Sequence, residues 1–491
     1  MSSDVHSRGG HDRALFHGEG HTLRRGTLTL IDSAVMGVAG VAPAYSIAGS
    51  TAALVAAVGL GGPGSLLYCG IAMFGIVWAF NFLGRQETDA GASYAWVRRA
   101  LHPALGYIAG WALVVSALIF MVAGSDPAGS VTLGLISRSL ANNVTAVTLV
   151  GVAFFLIMIV AVAYGVRVTA KVQVVMSSIE LLLLVLFAFL MIFHGVRVHD
   201  FSWKWFSPSI FHGSSGFFAG ALVAAFYYWG WDVTANLNEE TKGEKVTPGL
   251  GGIISVIVVF LLFEVFTIGT NMVLSQKIIA ANAGDVLGVL GQTVWHGDGG
   301  KLIVVAVILS TVATLETTII QVTRTLFSMG RDGTLPKVLG RTHPTRKTPI
   351  VATVVVAVIS LGLFVGSAYV SSVGTLLNDA INAIGLQIAV YYSLAGLAVV
   401  VLYRKKLFTS ASYFFFTGLW PLVGAVFMGV MFEQSLPTLN ATTKLVGIGA
   451  LVIGLIPMII YWVKRRPYFE MPSKEERLAG YADKTPVDEL A

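Results

Sequence analysis

The chain has 491 residues, 55% of them hydrophobic and 12% charged, with a formal net charge of +6. Apolar runs near 20 residues recur along most of it, the length a helix needs to cross a bilayer; a soluble enzyme is therefore excluded, as is a barrel built from short alternating strands. One cysteine, Cys69, rules out a disulfide or a thiolate metal site within a single chain.

The first 28 residues are polar, with no apolar core that would serve as a signal peptide. Their histidines (His6, His11, His17 and His21) lack a chelating spacing, so a flexible tail without metal is expected. Apolar stretches then predict twelve spans, at 30–57, 65–84, 103–123, 144–164, 172–194, 216–238, 249–275, 301–328, 350–370, 374–402, 411–433 and 443–463. The expected organisation is an N-terminal tail (1–28), a transmembrane domain (29–465) and a C-terminal tail (466–491), all α-helical where it crosses the membrane. An even count leaves both termini on one side. With the N-terminus inside, 25 of the 32 Lys and Arg residues fall in inner tails and loops, six fall outside, and Arg324 lies near the inner end of span 8. The positive-inside rule then places both termini in the cytoplasm, in a cytoplasmic (inner) cell membrane. Basic runs at 404–406 and 464–466 directly follow apolar spans and anchor the topology, so the positive charge calls for no nucleic acid.

Two spans carry breaks. In the first, "VMGVAGVAPAYSIAGS" (35–50), Pro43 pushes Ala42 out of the helical region and suits the first position of a new helix. The inner half would end at Val38, Ala39, Gly40 and Val41 with unpaired carbonyls, and the outer half would begin with free N–H groups on Ala44, Tyr45 and Ser46. Such a gap offers acceptors to an ammonium or cation and donors to a carboxylate. The second break falls in span 6, where Gly230 and Asp232 interrupt "AAFYYWGWDVTANLNEE" (224–240). Asp232 is expected to cap the second half of that helix or, alternatively, to bind solute directly. Glu239 and Glu240 are expected to partner basic residues at the cytoplasmic end. The breaks lie five spans apart and run in opposite directions, as two inverted five-span halves would have them.

Charge inside a span is expensive and marks function. Glu180 in span 5 and Glu316 in span 8 stand out, with Glu264 in span 7 a weaker third. Span 10 adds Asn378, Asp379, Asn382 and Gln387. No constellation for catalysis or for a cofactor is visible, and oligomeric state leaves no sign.

The segment "RTLFSMGRDGTLPKVLGRTHPTRKTP" (324–349) resembles the loop after span 8 of amino acid-polyamine-organocation permeases, with their R-x(6)-R-D-G-x-L-P pattern. "GASYAWVRRALHPALGYIAGW" (91–111) and "FYYWGWDVTANLNEET" (226–241) are similar to the family's segments at spans 3 and 6, in the family's order. The resemblance implies a five-plus-five inverted repeat with two added C-terminal helices and secondary active transport of amino acids or amines by alternating access, with proton coupling or exchange. It also implies a substrate-facing wall at Trp229, Gly230 and Trp231, and a lining role for Glu316 toward a second positive group. Related permeases can hold a lysine where Glu180 stands, so Glu180 is the expected coupling residue. Where many members carry G-S-G-I-F, this chain has "GVAPAY", which weakens the case for an α-carboxylate ligand. The expected function is an amino acid or amine permease. The rivals are a polyamine or organic-cation carrier and, from another class, a channel or a substrate-sensing receptor.

Overall fold

The computed structural model describes residues 22–193, 196–367 and 373–472. His6, His11, His17 and His21 lie outside the described residues, as does the tail beyond residue 472. Among the described residues the structure is helical, and its extended pairing is one isolated parallel bridge between Leu28 and Thr241.

A reciprocal cap starts the first helix, α1 (Leu30–Val41). The Thr29 hydroxyl accepts from the Asp32 N–H at 3.3 Å, while the Asp32 carboxylate accepts from the Thr29 N–H at 2.8 Å. One residue later comes α2 (Pro43–Val58), then α3 (Gly62–Gln86), the short α4 (Ser93–Ala100), α5 (Pro103–Gly134), α6 (Val144–Tyr164) and α7 (Val166–Phe193). After α8 (Gly213–Tyr227) a turn leads to α9 (Val233–Asn236). The remaining long elements are α10 (Thr247–Val273), α11 (Asp298–Arg331), α12 (Ile350–Ser367), α13 (Val373–Tyr403), α14 (Trp420–Ser435) and α15 (Ala441–Val463).

Ten helical stretches among the described residues are long and apolar enough to cross a bilayer. One of them, Leu30–Gln86, counts 57 residues, about 85 Å of helix and enough for two crossings. The chain is thus an all-α polytopic membrane protein. Its outer helices show why the hydropathy is so high: on α7, Leu182 is 71% exposed toward the surroundings while Glu180, two residues earlier, is fully buried. The apolar side faces lipid and the polar side faces the protein.

Span 3 differs from its predicted end at residue 123. The helix continues through Gly124, Ser125, Asp126 and Pro127 to Gly134. Those residues read as a turn in water, but in a membrane helix neighbouring side chains re-satisfy the carbonyl that proline frees. Here Pro127 leaves the Ala123 carbonyl without its helical donor, and the Tyr45 hydroxyl supplies one at 3.4 Å. A π-helical segment, Phe414–Leu419, precedes α14; it contains Gly418, and Pro421 follows at the second position of α14.

The long helix α11 packs against α1, α2, α5, α6 and α7, while α10 packs against α1 and α3. The interrupted first span is therefore enclosed on several sides.

Candidate functional site

The first span breaks at Ala42. Its backbone adopts the left-handed conformation (φ 52°, ψ 71°), which for a residue with a Cβ costs roughly 1–2 kcal/mol. Two local bonds hold it: the Ala42 N–H donates to Val38 O at 3.0 Å, and its carbonyl accepts from the Ser46 N–H at 2.8 Å. Pro43 opens α2, as its fixed φ and missing N–H allow.

The atoms around this break are bonded by the chain itself. The Ala44 N–H donates to Glu180 Oε1 at 3.0 Å and the Tyr45 N–H to Ser310 Oγ at 3.1 Å. On the inner side, the Thr314 hydroxyl donates to Gly40 O at 2.9 Å and the Ser46 hydroxyl to Val41 O at 2.7 Å. The expectation that the N–H groups of Ala44, Tyr45 and Ser46 stand free is therefore corrected. Polar side chains from α7 and α11 reach the break, because backbone groups in a dry interior must be satisfied by something. Ala39 is the carbonyl that would have paired with residue 43, and proline removes that donor.

The second break lies against the first. A Cβ placed on Gly40 would land on the Gly230 carbonyl, and one placed on Gly230 would land on the Gly40 carbonyl. Gly230 also has φ +108°, a conformation L side chains rarely adopt. Between α8 and α9 the N–H groups of Val233, Thr234 and Ala235 pair with the carbonyls of Gly230, Trp231 and Asp232, at 3.2, 3.2 and 2.9 Å. This corrects the expectation that Asp232 caps the second half. Its backbone is helical (φ −71°, ψ −4°) rather than extended, its carboxylate makes no cap bond, and the donors it would serve are already taken. Instead, Asp232 Oδ2 accepts from the Tyr391 hydroxyl at 3.0 Å, and that hydroxyl accepts from Trp229 Nε1 at 2.8 Å.

The two tryptophans of the expected wall part company. Trp229 faces the outer half of the first span across Phe120, whose ring stands edge-on to both Trp229 (5.5 Å) and Tyr45 (5.6 Å). Trp231 packs on Phe80 at 5.0 Å and Tyr392 at 5.7 Å, on the side of α3 and α13.

Glu316 is fully buried but turned to α7, where its Oε2 accepts from Gln173 Nε2 at 2.5 Å; its Oε1 has no partner. The α11 residues that reach the broken span are Ser310 and Thr314. Glu180 has one unpartnered oxygen too, Oε2. Asp126 on α5 adds a carboxylate that the sequence reading missed, buried to 7% exposure with Oδ2 unpartnered, one turn beyond the Ala123 carbonyl that Tyr45 reaches. The signal for it was Pro127, which frees that carbonyl.

Toward the C-terminal end of α11, Glu240 holds the buried Arg324 through Nε at 2.9 Å and Nη2 at 3.2 Å, a fork-on-fork pair. Arg331 bridges Asp89 (2.8 Å) and Glu239 (2.9 Å). Both glutamates thus take basic partners, as expected. The N–H groups of Thr27 and Leu28 donate to the Glu240 carbonyl, and Lys242 N–H donates to Leu28 O, so the last residues of the supposed tail are tied down. Beside them Asp332 has a carboxyl raised to about 6, chiefly by burial and then by the negative charge of Asp89.

Comparison with known proteins gives the family. A family model described as amino acid permease matches residues 28–463. The chain is 23% identical to the methylthioribose transporter of Bacillus subtilis (strain 168), over 79% of this chain and 83% of that one. It is 26% identical to the low-affinity putrescine importer PlaP of Escherichia coli (strain K12), over 69% and 74%. The branched-chain amino acid permease BcaP of Bacillus subtilis (strain 168) is also 26% identical, but over only 40% of this chain and 42% of that protein.

Proposed function

This chain belongs to the amino acid permease family, within the amino acid-polyamine-organocation superfamily of transporters rather than enzymes, and on that premise we propose that it moves a small amino acid or amine together with a proton. The route is alternating access across a cytoplasmic membrane with both termini in the cytoplasm, in a five-plus-five inverted repeat followed by two added helices. The observation that carries the reading is the Glu180 carboxylate on the Ala44 N–H, where the first span is broken. A group able to gain and lose a proton sits at the point where the backbone itself is interrupted, so its charge state bears on how the two half-helices pack.

The solute is assigned to the crossing of the two breaks. Val38, Ala39, Gly40, Val41 and Ala42 supply carbonyls at the negative end of α1, Ala44 and Tyr45 the start of α2, and Trp229, Gly230, Trp231 and Asp232 the opposite side. The unpartnered Oε1 of Glu316 supports its keeping a role toward a second positive group. The relatives' named solutes, branched-chain amino acids, putrescine and methylthioribose, favour a small polar molecule.

Reconstitution into liposomes tests the reading. Saturable uptake, counterflow and accumulation driven by an imposed proton gradient are expected. Unsaturable flux without counterflow would mark a channel and end the proposal.

A further inference from the structure

The start of α2 is the place in this protein where backbone donors and a positive dipole end meet at a break. A helix N-terminus leaves its first N–H groups without partners, and together with the dipole they attract an anion. The sequence therefore suggests a seat for the carboxylate of an amino acid. In the structure that seat is filled. Pro43 has no N–H, Ala44 gives its N–H to Glu180, Tyr45 gives its own to Ser310, and Ser46 gives its own to Ala42.

The occupant is itself a carboxylate. Glu180 is fully buried and comes from α7, 136 residues away in sequence, to bond the Ala44 N–H at 3.0 Å. Its other oxygen, Oε2, is buried and unpartnered. A solute carboxylate brought to this tip would meet a like charge at contact distance in a dry interior, with no backbone donor left to offset the repulsion. Nearby, Asp126 Oδ2 is also buried and unpartnered, so a second negative group lies on the α5 side of Tyr45. On the other side of the break lie the carbonyls at the end of α1, another negative partial charge.

We propose that Glu180 stands permanently in the place of a substrate carboxylate, and that the solute is an amine without one. The inference rests on the permease reading and narrows it: the site recognises a cationic amine, neutral or cationic at its far end, and rejects the parent α-amino acid. Selectivity and coupling then have different requirements at the same residue. Rejection of a carboxylate needs the tip to be filled, whereas coupling needs a group that ionises.

Matched pairs that differ only by the carboxylate test this on the purified full-length protein. We would use 3-methylbutylamine against leucine and 1,4-diaminobutane against ornithine, measured by thermal stabilisation and by competition for uptake. The wild type is expected to prefer the amine in at least one pair by about tenfold or more, within the range of what an unsatisfied buried polar group costs. Glu180→Gln keeps the Ala44 N–H filled through its amide oxygen but removes the like charge, and is expected to retain part of that preference. Glu180→Ala empties the tip and is expected to shift the preference toward the amino acid by about tenfold. A wild type that takes the amino acid as well as its amine overturns the inference and leaves the permease reading intact. An unchanged preference in Glu180→Ala does the same. Should Glu180→Ala not fold, the wild-type and Glu180→Gln pairs decide. Saturable uptake of neither member of either pair overturns the inference alone, since the permease reading is not confined to these four solutes.

Discussion

Gly40 and Gly230, 190 positions apart in the chain, meet backbone to backbone with no room for a methyl group on either. The contact brings the two helix breaks together and ties the packing of one to the other. Gly40→Leu is expected to abolish uptake while the protein still reaches the membrane, and Gly230→Ala to do likewise, since it adds backbone strain to the clash. The clash is with backbone rather than with a side chain that can give way, so the two half-helices must part at the crossing. Surface expression and uptake measured side by side check this; normal transport by Gly40→Leu would remove the site from the crossing.

Glu180→Gln separates charge from shape. The amide still accepts from Ala44, so downhill uptake is expected to persist, while accumulation in response to a proton gradient is lost. If gradient-driven accumulation is unchanged, Glu180 serves packing alone.

Glu316→Gln addresses the far end of the solute. With an unpartnered oxygen beside its bond to Gln173, the carboxylate is expected to favour a dication over a monoamine, and the substitution to weaken diamine binding by about 2 kcal/mol, within the range for a bond to a charged group. Monoamines should be little affected. Diamine binding as tight in the variant as in the wild type would leave Glu316 as a partner of Gln173 only.

Acid should stabilise the inner end. Asp332 has a folded-state carboxyl raised to about 6 by burial and by Asp89, against an ordinary aspartate near 3.9. Between those values the folded state holds a proton that the unfolded state does not, so stability falls as pH rises through that window. The expected result is a higher midpoint of thermal unfolding at pH 5 than at pH 7, with the difference reduced in Asp332→Asn. An Asp332→Asn variant as pH-dependent as the wild type would contradict it.

The break in the first span was legible because proline and the residue before it have fixed conformational demands that no tertiary contact changes. The pairing of Glu239 and Glu240 with basic residues was legible as well, since buried charge must find its opposite. What fills the break was not. Ser310 and Thr314 are ordinary polar residues in a long apolar helix, and only the rotation of α11 shows that they, rather than Glu316, reach the broken backbone. Asp126 was hidden by chemistry that reads one way in water and another in lipid: Ser125, Asp126 and Pro127 form a turn signal, yet the helix runs through them because Tyr45 satisfies the carbonyl that Pro127 strands. Asp232 was misread as a cap because its backbone angles are not written in its residue type.

The inner end has its own arithmetic. Glu240 accepts two N–H groups from the segment before α1 with its carbonyl and grips Arg324 of α11 with its carboxylate. Three distant parts of the chain are thus knotted at one residue. Parting Glu240 from Arg324 would strand a buried charge, and parting it from residues 27 and 28 would strand two backbone N–H groups. In the proposed cycle this end is therefore expected to be either open or shut, with little leakage between turnovers.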